Sequence, residues 1–145
     1  HFGGEEVTIF LRLHPNMINT DISPLMTDPA IIDVTRYHDM QELLSISDML
    51  ITDYSSVMFD FSMLGRPCLI YATDIEAYDR GFYFRFDELP FPLARNQEEL
   101  KNLVESFNID TYMTKTKRLF NERIKPYDQG NASASIAGWM KEHSI

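Results

Sequence analysis

Short β-branched apolar runs alternate along this chain with stretches in which apolar residues recur at helical spacing. Residues 7–13, 31–35, 49–52 and 68–72 are the apolar runs, bounded by Pro, Asp, Ser or Gly, and each predicts a strand. Between them, residues 40–46 carry Met40, Leu43, Leu44 and Ile46 behind Asp39, a residue suited to capping a helix start. Residues 55–64 are apolar on nearly every side until Gly65 and Pro67 stop them, and predict a second helix. Amphipathic helices are expected at 97–107, 111–125 and 133–143. A crossover of about a dozen residues between two apolar strands suits a right-handed parallel βαβ unit. The pattern therefore predicts an α/β domain, an open parallel sheet covered on both faces, with helices trailing from about residue 97. Residues 73–95, "TDIEAYDRGFYFRFDELPFPLAR", break the alternation. They are too long for an ordinary connection and too aromatic for disorder, so a functional, ordered loop is expected there.

With 145 residues and 44% apolar content, the chain is long enough for one domain with its own core. Thirteen basic residues against 22 acidic ones give a formal charge of -9, a field that repels nucleic acid and excludes generic DNA or RNA binding. Five of those 13 basic residues fall in "TKTKRLFNERIK", residues 114–125, either a solvated helix face or a contact for an anionic polymer or membrane surface. The single Cys68 cannot form an internal disulfide and fits a reducing compartment. No run reaches the roughly 18 apolar residues of a membrane span, and no signal-peptide pattern opens the chain. The opening "HFGGEEVTIF" enters a strand with no preceding element, and reads as a cut through a larger protein.

In an open parallel sheet the ligand crevice lies beyond the carboxyl ends of the strands. Arg12 and His14 fall there, and so do Asp53, Ser55 and Ser56. A helix start at the end of a buried strand offers backbone N–H groups and a favourable dipole to a phosphate, and Ser55 and Ser56 add hydroxyl donors. The competing reading is that these serines only cap the helix. Arg12 can neutralise the same anion. His14 can donate to a phosphoryl oxygen or exchange a proton near neutral pH, or it is simply a turn histidine beside Pro15. Asp60, between Phe59 and Phe61, is expected to need a hydrogen-bond or cation partner. Neither GxGxxG, GxxxxGK[ST] nor HExxH occurs, and one cysteine with scattered histidines offers no zinc set, so no cofactor and no metal are expected.

The segments "LRLHP", "ISDMLITDYSSVMFDFSMLGRP", "IYATDIEAYDRGFYF" and "DQGNAS" together resemble, in order and over about nine tenths of the chain, the C-terminal half of the CDP-glycerol glycerophosphotransferases, the polymerases and primases of teichoic acid synthesis. The resemblance implies a GT-B enzyme, two Rossmann-like halves facing each other across a cleft, with residues 1–145 as the single donor-binding domain and the N-terminal half absent. It implies that Arg12 and His14 contact the donor phosphates, with His14 catalytic, and that Ser55, Ser56 and Asp60 line the CDP-glycerol site. Asp53, Arg80 and Gly81, the last two in "DRGFYF", fall in matching motifs near the cleft. The implied reaction is attack of a glycerol or glycerophosphate hydroxyl on the β-phosphorus of CDP-glycerol, expelling CMP. The implied partners are CDP-glycerol, a lipid-linked or polymeric glycerophosphate acceptor and the missing half, in a cytoplasmic protein peripheral to the inner face of a bacterial membrane. The chain departs from the family in "LPFP", where Phe91 stands in place of a common glycine and would change the loop's shape. The rival readings are a GT-B glycosyltransferase or epimerase using a sugar nucleotide, and a non-catalytic nucleotide-binding domain.

Overall fold

The computed structural model describes residues 6–78, 81, 84–127 and 130–143. Its strands are β1 (Ile9–Leu11), β2 (Ile31–Asp33), β3 (Leu50–Thr52), β4 (Cys68–Tyr71) and β5 (Leu93–Ala94). All pair in parallel, β1 with β2 and, separately, β3 with β4 and β4 with β5. The parallel α/β class read from the alternation is the class observed. Two features differ from expectation. The sheet is hydrogen-bonded in two pieces among the described residues, and the 73–95 loop ends in a short strand, β5, paired through Ile70↔Leu93. Two residues are too few to carry a period-2 pattern, so β5 left no signal in the sequence.

The helices are α1 (Met40–Ile46), α2 (Val57–Ser62), α3 (Gln97–Glu105), α4 (Ile109–Leu119) and α5 (Ala132–Glu142). Asp39 caps α1 as expected, its carboxylate accepting from the amides of Gln41 at 2.8 Å and Glu42 at 3.2 Å. Helix α2 ends at Gly65, whose φ of +70° is open to glycine at little cost and whose missing side chain leaves room for Met113, 3.3 Å from where a Cβ would stand. Helix α4 gives way to a wider turn at Phe120–Ile124, which closes on Lys125 at a φ of +47°.

The core forms on one face of β4, where Cys68, Ile70 and Ala72 meet Leu44 of α1, Met58 and Phe61 of α2, Phe91 of the long loop and Tyr112 of α4. Leu69, pointing the opposite way, is also fully buried, so β4 is covered on both faces as a parallel strand requires. Burial pushes the Cys68 thiol up to about 12, which makes it a packing group and not a nucleophile. Phe91 resolves the departure noted in "LPFP". The loop turns inward at this point, and the ring plugs the core against Phe59 at 5.7 Å and Tyr112 at 6.5 Å.

Because Phe61 is fully buried at the centre of this cluster, Phe61→Ala is expected to lower unfolding free energy by about 3–5 kcal/mol. Urea denaturation checks this, and a loss under about 1 kcal/mol would show that the core is not organised around that ring.

Candidate active site

Two loops at the carboxyl ends of parallel strands hold the candidate residues. The first follows β1. The Arg12 guanidinium Nη1 donates to the carbonyls of Val34 at 3.1 Å and Tyr37 at 2.7 Å. Arg12 is thus a strut tying the loop after β1 to the loop after β2, reinforced by the Leu13 amide, which donates to Thr35 Oγ1 at 3.1 Å. Its Nε and Nη2 donors have no protein acceptor among the described residues and stay available to an anion.

His14 is exposed and extended, at φ -59° and ψ 143°, a conformation imposed by Pro15. Its Nδ1 accepts the Asn16 amide at 3.2 Å, so the neutral ring carries its proton on Nε2. That tautomer presents an N–H donor away from the loop. A turn histidine would be satisfied by the same bond; the free Nε2–H is what makes chemistry available.

The second loop follows β3. Ser56 occupies the cap position of α2, yet its hydroxyl makes no capping bond, and Ser55 Oγ takes the Val57 amide only at a long 3.4 Å. Both serines are exposed. The capping reading therefore explains little of this pair, and two hydroxyls remain open at the helix start. Asp53 is exposed in the same loop. Asp60 corrects an expectation. It is exposed, because Met58, Phe61 and Ser62 form the buried stripe of α2 and Asp60 projects elsewhere, so it needs no buried partner.

Tyr54 and Asp74 were not anticipated. The Tyr54 hydroxyl donates to Asp74 Oδ1 at 2.5 Å, joining the loop after β3 to the loop after β4, while its ring lies 4.1 Å from that of Tyr78 and 6.3 Å from that of Phe86. Burial, then the Asp74 carboxylate, pushes the Tyr54 phenol up to about 12. Both residues lie inside the quoted motifs, but nothing in spacing shows that two loops 20 residues apart would meet. Farther along, Arg123 pins the long loop to the end of α4, with its guanidinium 5.1 Å from the Phe84 ring centroid and 3.4 Å from Glu88. Gly81 has a φ of +73°, which favours glycine although the space beside it is open. Arg80 lies outside the described residues.

Arg12 and His14 are thus held on one loop, Asp53, Ser55 and Ser56 on another, and Asp60 on the helix α2 that follows it. Among the described residues no hydrogen bond joins the two groups, and no cluster of three or more His, Cys, Asp or Glu could hold a metal ion. The basic stretch 114–125 reads as a largely solvated face, with Arg118 paired to Glu122 at 3.0 Å on the surface.

Parallel strands, crossover helices and polar loops at the carboxyl strand ends define a domain of the parallel α/β class. The chain belongs to the CDP-glycerol:poly(glycerophosphate) glycerophosphotransferase family, whose sequence model matches residues 2–140. It is 39% identical over 142 residues to a teichoic acid poly(glycerol phosphate) polymerase of Staphylococcus epidermidis, covering 92% of this chain and 19% of that protein. It is 38% identical over 140 residues to a teichoic acid glycerol-phosphate transferase of Staphylococcus aureus, covering 91% of this chain and 34% of the relative. Its fold matches the structure of a variant of the wall teichoic acid polymerase TagF soaked with CDPG for 30 minutes, with a TM-score of 0.76, 36% identity, and coverage of 95% of this chain and 36% of that one. The chain therefore spans between a fifth and about a third of the proteins it resembles.

The raised phenol gives a pH test. Tyr54 ionises near 10 when unfolded and near 12 when folded, so the stability it confers is full below pH 10 and is lost as pH rises toward 12. Wild type is expected to lose more stability than Tyr54→Phe between those limits in denaturant titrations; parallel losses would show that the phenol is not held by its neighbours.

Proposed function

We propose that this chain is the donor-binding part of an enzyme that transfers glycerol phosphate from CDP-glycerol to a glycerol or glycerophosphate hydroxyl, releasing CMP, in teichoic acid synthesis. The observation that carries this reading is the start of α2, where Ser55 and Ser56 stand exposed at the carboxyl end of β3 with hydroxyls that capping leaves open. The family supports the donor, and the names of the relatives support the polymer.

In this reading Ser55 and Ser56 bind the donor pyrophosphate through hydroxyl and backbone donors, and Asp53 and Asp60 flank the same helix start. Arg12 neutralises phosphate charge with the donors its strut bonds leave free. The acceptor hydroxyl oxygen forms a bond to the β-phosphorus, the bond from that phosphorus to the oxygen of CMP breaks, and the hydroxyl proton leaves to a base or solvent. His14 donates its Nε2–H to a phosphoryl oxygen as charge builds on it, the positioning and charge stabilisation on which phosphoryl transfer mainly depends. Arg80 and Gly81 are assigned to donor binding as well, on the strength of their motif. The acceptor, lipid-linked or polymeric, is bound by parts of the protein outside residues 1–145. No described helix is long and apolar enough to cross a membrane, which is compatible with peripheral attachment at the inner face of a bacterial membrane.

CMP release by the full-length protein tests this reading. With CDP-glycerol and a glycerophosphate acceptor, His14→Ala is expected to lower kcat by roughly 100-fold or more, and Ser55→Ala/Ser56→Ala chiefly to raise the donor KM. Turnover with UDP-sugars in place of CDP-glycerol would favour a glycosyltransferase or epimerase. Donor binding without CMP release, unaffected by His14→Ala, would mark a non-catalytic nucleotide-binding domain.

A further inference from the structure

The ladder between β1 and β2 ends with a substitution of acceptors that bears directly on His14. In a parallel pair, alternate residues of one strand bond to the two residues that flank their counterparts on the other. The Ile9 amide donates to the Ala30 carbonyl at 2.7 Å, and the Val34 amide donates to the Leu11 carbonyl at 2.9 Å. The next step of this alternation would send the Leu13 amide to the Val34 carbonyl. It donates instead to the Thr35 hydroxyl at 3.1 Å, and the Val34 carbonyl takes Arg12 Nη1, also at 3.1 Å. A side chain thus replaces a backbone acceptor at the last rung, and the acceptor it frees becomes a seat for the guanidinium.

The Thr35 hydroxyl is itself fixed. It has one proton and donates it to the Asp33 carboxylate, which also takes the Thr35 amide at 2.8 Å. These two bonds, the hydroxyl's first, hold the Asp33 carboxyl below the usual carboxylate range. With its proton committed to Asp33, the half-buried Thr35 oxygen turns its lone pairs to the Leu13 amide. A chain of bonds therefore runs from Asp33 through Thr35 to the residue that separates Arg12 from His14. Pro15 holds His14 extended on the other side, so the direction of the imidazole follows from where Leu13 is held.

We propose that Thr35, its hydroxyl oriented by Asp33, is a positioning residue for the transfer reaction, holding the Leu13 amide off the ladder and so setting the placement of Arg12 and His14. This role rests on the functional reading above, in which those two residues meet the donor phosphates. Thr35 touches no substrate and acts only through the loop. Phosphoryl transfer depends on such placement, and an error of about 1 Å can cost roughly 100-fold in rate.

Two substitutions separate the hydroxyl from the space it fills. Thr35→Val keeps the branched shape without the hydroxyl, whereas Thr35→Ser keeps the hydroxyl without the methyl group. In CMP release by the full-length protein, Thr35→Val is expected to lower kcat about 10-fold or more, and Thr35→Ser to stay within about 3-fold of wild type. The reverse order, Val active and Ser impaired, would mark a packing role and overturn the proposal. A crystal structure of full-length Thr35→Val without nucleotide is expected to show the Leu13 amide on the Val34 carbonyl and Arg12 Nη1 displaced from it; an unmoved loop would also overturn the proposal. His14→Ala, assayed alongside, keeps the two readings apart. Lost turnover in His14→Ala with full turnover in Thr35→Val would overturn the role of Thr35 alone, whereas full turnover in His14→Ala would overturn the functional reading and the role of Thr35 with it.

Discussion

Burial of β4 on both faces is the constraint on which the rest depends. Cys68, Leu69 and Ile70 are all fully inaccessible, and a strand in that position cannot leave either its apolar side chains or its backbone groups unsatisfied. Its backbone is met by β3 on one side and β5 on the other. One face is met by a layer drawn from α1, α2, α4 and Phe91, elements that span most of the described chain. What positions Ser55 and Ser56 is this burial: α2 is pinned through Met58 and Phe61, and its polar start has only one place to go, the carboxyl edge of the sheet.

The loops at that edge are held by polar bonds of modest individual worth, about 1 kcal/mol for a typical one. Arg12 bridges the loops after β1 and β2 and Tyr54 bridges those after β3 and β4, while at the opposite, amino edge Arg66 donates to the carbonyls of Ser45 and Ser47, each at 2.7 Å, fixing the end of α1. Each bond joins separate stretches of chain, so the polar rim is organised by contacts of long sequence separation while the apolar layer beneath it holds the strands. Such an arrangement leaves the exposed groups, His14 Nε2, the serine hydroxyls and the remaining Arg12 donors, oriented without being consumed.

Large apolar side chains are left exposed on β1, β2, β3 and α5. Ile9, Phe10, Ile32 and Ile51 lie on strands, and Ile136, Trp139 and Met140 recur at helical spacing on α5, where the core does not reach them. For the α5 stripe, nothing among the described residues indicates what covers it.

Residue patterning alone determined the class of fold, the first four strands and all five helices to within a few residues, because period and capping chemistry are local properties. It also singled out the strand-end residues Arg12, His14, Asp53, Ser55 and Ser56, since position relative to a strand is legible one strand at a time. Only the tertiary structure decided that Asp60 is solvated, that Phe91 turns inward, that Tyr54 reaches Asp74, and that β1 and β3 do not pair. Each of these depends on which elements pack together at a distance, and hydrophobic period records that a side chain is apolar without recording which partner it meets.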